Sequence, residues 1–216
     1  MAEAKALHKD ITPPVLWKAA RDLRAASRRR VGALFEGDDA LFKQMASTSR
    51  VYFEYGCGAS TKWMMANTDS EIYSVDTSGE WLDHVRTEAG NSDRLHLHHT
   101  DLGPLKAWGT PIGYSRCERF SDYTDWPWQQ GVVPNLILVD GRFRVCCFLT
   151  CLRNGAPGTP IIFDDYGGRP HYAFVERFVK PENTCGRQAQ FRVPEAGTLD
   201  IEALDTAIQN FRFVMD

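Results

Sequence analysis

Long apolar runs are missing from the sequence. None approaches the length of a membrane span, and the opening residues MAEAKALHKD have no apolar centre of the kind a secretory signal needs. The chain is therefore expected to work in the cytoplasm, with no membrane partner. An excess of positive charge is missing too. Lys and Arg number 25 against 28 Asp and Glu, a net charge of -3, so the basic footprint of a nucleic-acid binder is absent and no nucleic-acid partner is expected. The six cysteines (Cys57, Cys117, Cys146, Cys147, Cys151 and Cys185) include no C-x-x-C pair and no regular spacing. That argues against a secreted disulfide scaffold and reads as reduced thiols. Cys147 and Cys151 stand one helical turn apart in an apolar stretch, as core packing does. Internal repeats and low-complexity segments are also lacking.

What is present is an ordinary globular composition. The chain has 216 residues, 43% hydrophobic and 25% charged, which suits one domain with a sizeable core. Residues 1–49 read as a helical segment packing on that core, with Pro13 and Pro14 at a helix start and Val15, Leu16, Ala19 and Leu23 following. Arg28, Arg29 and Arg30 read as its solvated end, their cations complementing the helix dipole. Over residues 50–216 strand and helix alternate. Val51–Tyr55, Glu71–Asp76, Arg94–His99, Asn135–Asp140 and Pro160–Asp164 read as strands. The last two are continuously apolar, as parallel strands covered on both faces are. Helices are expected over Ser60–Asn67, Glu80–Ala89, Phe143–Arg153 and Tyr172–Val179, and two closing strands over Gln190–Val193 and Phe211–Met215. The pattern predicts an α/β, doubly wound sheet. Residues 102–134, rich in proline, tryptophan and tyrosine, are too long for a simple connection and read as an aromatic lid or insertion.

Ligands of open α/β sheets bind beyond the carboxyl ends of the strands. An acid stands at each of those ends: Glu54, Asp76, Asp101, Asp140 and Asp164. Gly56-Cys57-Gly58 follows the first strand and precedes a helix, where glycine permits a tight bend and close backbone approach to a ligand. A dinucleotide fingerprint would continue to glycine or alanine three residues on, where this sequence has Thr61, and Glu54 would repel a pyrophosphate. S-adenosylmethionine reverses that conflict, because its sulfonium and amino groups are cationic and it carries no phosphate. Asp76, twenty residues after Gly56, stands where an acid accepts hydrogen bonds from ribose hydroxyls, and Asp101 could meet the adenine amino group. The plainer alternative for each, set behind the cofactor reading, is a helix N-cap.

The string VYFEYGCGASTKWM, followed by IYSVD and HTDLG, resembles the class I S-adenosylmethionine-dependent methyltransferases. VDGRFRV and FDDYGGRPHY look like a small branch of that class. The resemblance covers roughly residues 50–180 and implies a Rossmann-like, mostly parallel seven-stranded sheet with helices on both faces and a reversed last strand. It also implies that Glu54, Gly56, Gly58 and Ser60 line the methionine end of the cofactor, Asp76 the ribose and Asp101 the adenine. Cys57 between the glycines departs from the pattern, with a side chain small enough to be harmless.

Methyl transfer is an in-line displacement with a good leaving group, so an enzyme chiefly aligns the nucleophile and manages its proton. Asp140, Asp165 and His171 are the candidates for that work. Asp140, Asp164 and Asp165 also resemble the carboxylate set of catechol-type O-methyltransferases, which would suit Mg²⁺, although Asp165 stands where that family has asparagine. Arg142 and Arg144 could neutralise these acids or hold an anionic substrate. His96, His98 and His99 alternate along a strand and read as structural. With no Asn-Pro-Pro-Tyr type of signature, a small-molecule acceptor with a hydroxyl or other soft nucleophile is expected. A homo-oligomer is open to the chain. The alternatives are a methyltransferase-like protein that binds the cofactor without catalysis and an NAD(P)-dependent oxidoreductase.

Overall fold

The fold is described from a computed structural model that covers Leu34, Phe35, residues 38–90 and residues 92–216. The helix start at Pro13 and Pro14 and the arginine triplet lie outside the described residues. Helix α1 (Ala40–Ala46) leads into β1 (Val51–Tyr55), α2 (Ala59–Asn67), β2 (Glu71–Asp76), α3 (Gly79–Ala89) and β3 (Leu95–His99). After the excursion come β4 (Leu136–Val139), α5 (Arg144–Asn154) and β5 (Pro160–Phe163). A 3-10 helix over Pro170–Arg177 precedes the hairpin β6 (Asn183–Cys185) and β7 (Gln188–Arg192). The seven strands form one sheet in the order β3-β2-β1-β4-β5-β7-β6, with β7 antiparallel to both its neighbours and the other pairings parallel. This is the Rossmann-like arrangement, mostly parallel, with helices on both faces and the chain reversal between β1 and β4 that opens a crevice at the carboxyl ends.

Side-chain alternation decides what each face buries. Phe53, Tyr55, Ile137, Val139, Ile161, Phe163, Ala189 and Phe191 point to one side, against α5 and α6 (Ile201–Phe211), α4 being the short helix Phe120–Asp125 of the excursion. Nine of the eleven residues of α5 are buried, because it lies between the sheet and α6. Tyr52, Ile72, Leu136, Leu138 and Ile162 point to the other side, against Phe42 and Ala46 of α1 and Met64 of α2. Leu82 and Val85 of α3 close that face with Cys57. The helix starts have local causes: Ser78 accepts the Trp81 N–H at 3.3 Å, and Asp200 accepts the Ala203 N–H at 3.0 Å.

The closing region differs from the sequence expectation. Phe211–Met215 is no strand: Phe211 ends α6, and Phe213, still exposed, rests against Phe120 with ring centroids 6.2 Å apart. The second closing strand is instead Asn183–Cys185, a short polar edge strand whose residues carry no apolar alternation. Tyr172–Val179 forms 3-10 turns over Pro170–Arg177 rather than an α-helix.

The excursion divides in two. Its second half is core: a short helix over Phe120–Asp125 buries Phe120 and Tyr123, and Trp128 donates to the Tyr55 hydroxyl at 2.9 Å while packing edge-on to Phe53. The first half is a small hairpin, closed by Lys106 N–H to the Thr110 carbonyl at 2.7 Å and Ile112 N–H to the Pro104 carbonyl at 2.9 Å. At its tip Trp108 is 84% exposed and held at φ 65°, left-handed backbone that a tryptophan rarely adopts.

Candidate active site

Glu54 is the centre of the glycine-turn end of the sheet. Its register partners are Ser74 on β2 and Leu138 on β4, so its carboxylate points toward the start of α2. Four hydroxyls donate to it there: Tyr52 at 3.0 Å, Thr61 at 2.5 Å, Ser74 at 2.8 Å and Ser60 in a very short contact. Burial raises its pKa above the ordinary carboxylate value, and the Ser60, Thr61, Ser74 and Tyr52 hydroxyls pull it back. Glu54 and Ser60 are thus committed to each other beneath the turn, and Thr61, where a dinucleotide motif would carry glycine, supplies one of the donors.

The two glycines of the turn do different work. Gly56 has φ +91°, and a Cβ there would stand 2.5 Å from the Gly141 Cα. Gly141 is just as constrained, since its Cβ would fall 2.0 Å from the Tyr123 hydroxyl and 2.8 Å from the Gly56 nitrogen. The turns after β1 and β4 therefore touch backbone to backbone, with Tyr123 across the contact and its hydroxyl accepting the Arg142 N–H at 3.2 Å. Gly58 is different: a Cβ there would meet nothing within 4 Å. Gly56 serves the fold, and Gly58 leaves an approach to the backbone open.

Beside that approach stands Asp76. Its carboxylate accepts the Cys57 N–H at 3.2 Å and the Ser78 N–H at 2.9 Å, which fixes it at the mouth of the crevice. Burial raises its pKa, opposed by the backbone N–H groups of Ser78, Cys57 and Thr77. Cys57 packs with Leu82 and Val85, and its thiol as well as its N–H faces the Asp76 carboxylate. Thr77 donates to the Gly109 carbonyl at 2.7 Å and thereby seats the hairpin of the excursion over this end. Asp101 accepts the Gly103 N–H at 3.0 Å and pairs closely with Arg116, and these two hold its pKa below the ordinary range.

The three histidines of β3 are structural. His96 stacks on Tyr73 at 4.4 Å and pairs with Glu71 at 3.0 Å, and His98 stacks on Trp126 at 4.7 Å. The His99 ring meets the Thr77 carbonyl at 3.1 Å.

At the ends of β4 and β5 the structure brings Asp140, Asp164 and Asp165 together and surrounds them with arginine. Arg144, 4% exposed, donates to the carbonyls of Gly141 (2.9 Å), Asp164 (2.8 Å) and Asp140 (2.9 Å), and pairs with Asp140 at 3.0 Å and Asp165 at 3.1 Å. Arg187, from the turn before β7, grips Asp164 at 2.6 Å and Asp165 at 2.9 Å, and Arg169 reaches Asp165 at 2.7 Å. Burial and the neighbouring Asp164 carboxylate push Asp140 well above its ordinary pKa, against the pull of Arg144. Burial alone would depress Arg144, but Asp140, Tyr172 and Asp165 outweigh it and leave the guanidinium above its ordinary value.

The donor set therefore does not fit the Mg²⁺ expected on Asp140, Asp164 and Asp165. Guanidinium groups already stand against these carboxylates, and a cation placed among them would meet three like charges. Among the described residues, no cluster of histidine, cysteine or carboxylate side chains has the arrangement of a metal site. Arg144 is one of the two arginines that the sequence places as able to neutralise these acids, whereas Arg187 is illegible as a partner, since it lies 23 residues from Asp164 across the β5–β7 pairing.

His171 stands at the rim, 58% exposed at its side chain, with Nε2 3.7 Å from Asp216. Asp216, which no sequence signal marks, accepts the Arg144 N–H at 3.0 Å, and its Oδ2 is buried without a hydrogen-bond donor. Burial raises its pKa against Arg144, His171 and Arg142. A separate groove of about 750 Å³, lined by Phe174, Phe178, Leu199, Ala203 and Phe211, lies between the 3-10 helix and α6.

No protein-family model matches the chain, and no curated protein is significantly similar to it. Among solved structures it is similar to a methyltransferase-like protein from Silicibacter pomeroyi DSS-3, with a TM-score of 0.67 and 26% identity over 78% of this chain and 91% of that one. An O-methyltransferase from Bacillus cereus in complex with S-adenosylhomocysteine aligns at a TM-score of 0.49 and 14% identity, over 86% of this chain and 93% of that one. The N-methyltransferase NodS from Bradyrhizobium japonicum WM9, also in complex with S-adenosylhomocysteine, aligns at 0.49 and 14%, over 72% and 84%. The last two are too distant to bear on chemistry.

Proposed function

We propose that this chain, a class I S-adenosylmethionine-dependent methyltransferase, transfers a methyl group to a small-molecule acceptor through a hydroxyl or other soft nucleophile. The observation that carries the cofactor assignment is the pairing of an open face at Gly58 with the anchored carboxylate of Asp76 on the neighbouring strand end. The residues present fit S-adenosylmethionine. Gly58 offers approach to the turn, Asp76 an acceptor for ribose hydroxyls and Asp101 one for the adenine side. The Glu54 carboxylate, with Ser60, sets a negative potential under the methionine end, and Gly56 shapes the turn. When bound, the cofactor supplies an electrophilic methyl group on a sulfonium.

On the acceptor side, Asp140 takes the nucleophile's proton at its carboxylate, because its raised pKa brings it nearer the range in which a carboxylate is a useful base. Asp165, held by three guanidinium groups, orders Arg144, Arg169 and Arg187 around the acceptor end. His171 Nε2, backed by Asp216, passes the proton to solvent at the rim. No step involves a metal.

Calorimetry with S-adenosylhomocysteine and with NAD tests the assignment, with binding of the first alone expected. Tight NAD binding with no response to S-adenosylhomocysteine would refute it. An acceptor screen with and without chelator then follows product formation. Cofactor binding with no turnover on any small nucleophile would favour the non-catalytic reading.

A further inference from the structure

Six arginines stand around the carboxyl ends of the strands, and five of them have a carboxylate. Arg116 pairs with Asp101, Arg119 with Asp122, Arg144 with Asp140 and Asp165, Arg169 with Asp165, and Arg187 with Asp164 and Asp165. Arg142 has none. Among the described residues it makes no ion pair, and its guanidinium has one hydrogen bond, a long one of 3.4 Å from Nη1 to the Thr110 hydroxyl. The side chain is half-buried, yet its unbonded nitrogens are not sealed inside. Burial, followed by the nearby Arg144, lowers its pKa, and no neighbour relieves the charge by direct contact.

Its place in the chain makes this informative. Arg142 is the second residue after Asp140, its N–H is pinned on Tyr123, and its head reaches the hairpin of the excursion at Thr110. It therefore bridges the end of β4 to the hairpin that seats over Asp76. Holding a guanidinium half out of water without a counter-charge costs free energy, which a bound anion recovers through a charge-assisted, two-pronged contact. Among the charged groups around it, Arg144 is already neutralised, and Asp216, whose Oδ1 accepts the Arg144 N–H, acts on Arg142 only through space, without an ion pair. Ile112 and Tyr114, each 57% exposed, carry apolar surface on the same hairpin for the body of a ligand.

We infer that the acceptor is an organic acid, and that Arg142 binds its anionic group, a carboxylate or a phosphate monoester, and so selects the substrate. This rests on the methyltransferase reading for the word acceptor, but the anion site can be measured without it. The experiment is nitrogen-15 NMR of the arginine side chains of the full chain, titrated with benzoate in one arm and inorganic phosphate in the other. The Arg142 Nε resonance, identified by its loss in Arg142→Gln, is expected to shift saturably with at least one of them. Arg142→Gln is expected to weaken that binding at least tenfold. Arg153→Gln, which removes an exposed arginine paired with Asp205, is expected to leave it within twofold. Anion affinity unchanged in Arg142→Gln, or an Arg142 resonance indifferent to both anions, overturns the inference. Should Arg142→Gln fail to fold, Arg142→Lys keeps the charge and loses the fork. A severalfold weaker affinity then supports the site, and an unchanged one refutes it. Calorimetry with S-adenosylhomocysteine on the same sample separates the two readings. A chain that holds anions at Arg142 and ignores S-adenosylhomocysteine loses the transferase assignment and keeps the site. One that binds S-adenosylhomocysteine with Arg142 silent loses only the site.

Discussion

Replacing Arg144 by methionine tests the arginine-acid cluster most directly. The substitution keeps most of the side-chain volume and removes the guanidinium, so it isolates the polar contribution. Three carbonyls lose their donor, and Asp140 and Asp165 each lose a partner at about 3 Å. Asp165 keeps Arg169 and Arg187, whereas Arg144 is the ion-pair partner that Asp140 loses, Arg187 acting on it only at longer range. Breaking a buried ion pair from one side costs about 3–5 kcal/mol. The orphaned carbonyls add to this in part, because the Asp140 side chain is 25% exposed and lets water in. Against a stability of about 5–15 kcal/mol for an ordinary domain, the variant should fold with its urea midpoint about 2 M lower, taking an m-value of about 2 kcal/mol/M. The pH dependence supplies the second readout. Asp140 has a folded pKa raised above its unfolded value, so its favourable contribution is complete below the unfolded value of about 4 and is lost as pH rises through the folded one. Removing Arg144 raises the folded value further. The gap between variant and wild type should therefore narrow as the urea midpoint is followed from neutral to mildly acid pH. A loss below about 1 kcal/mol at pH 7, or a gap that widens toward acid, would refute the reasoning.

Three further outcomes follow from the geometry. Gly58→Ala should leave the unfolding midpoint within about 0.5 kcal/mol of wild type, since its Cβ meets nothing and φ is extended, yet weaken S-adenosylhomocysteine at least tenfold by calorimetry. Gly141→Ala, with its Cβ 2.0 Å from the Tyr123 hydroxyl, should cost about 3 kcal/mol or more in the same unfolding assay. Burial pushes the Cys147 and Cys151 thiols up and that of Cys146 to about 12, so a thiol reagent at pH 8 should label Cys117 and Cys185 well before any of the three.

β1, β2, β4 and β5 are legible in the sequence because each is a largely apolar run with a carboxylate at or next to its end, while β3 shows only leucine alternating with histidine. Asp76 and Asp140 fall where that pattern puts them, and Glu54 falls one residue inside the strand, where its carboxylate is buried. The end of the chain is not legible in the same way. Phe211-Arg212-Phe213-Val214 alternates like a strand, but its rings are used to close α6 and to meet Phe120, a contact no local pattern encodes. Asn183–Cys185 forms a strand only because β7 lies beside it, so its residues need no apolar face. The metal reading fails for a related reason. Asp140, Asp164 and Asp165 are visible as acids and Arg144 as a cation close behind them, while Arg187 acquires its meaning only when β5 and β7 are brought together. Gly141 shows the limit from the other side, since a single glycine after a strand gives no hint that another glycine and a tyrosine hydroxyl occupy the room its side chain would need.

The contact between Gly56 and Gly141 also bears on how this scaffold could be redesigned. Positions 56, 141 and 123 form one steric unit, and a change at any of them is felt by the other two, so a library that randomises them one at a time would return mostly unfolded chains. The hairpin from Pro104 to Tyr114 hangs from the rest through a few side-chain contacts and exposes much of its surface. On the proposed reading, in which the acceptor meets this hairpin, diversity can be placed there while the glycine unit is held constant, a stretch short enough for exhaustive screening.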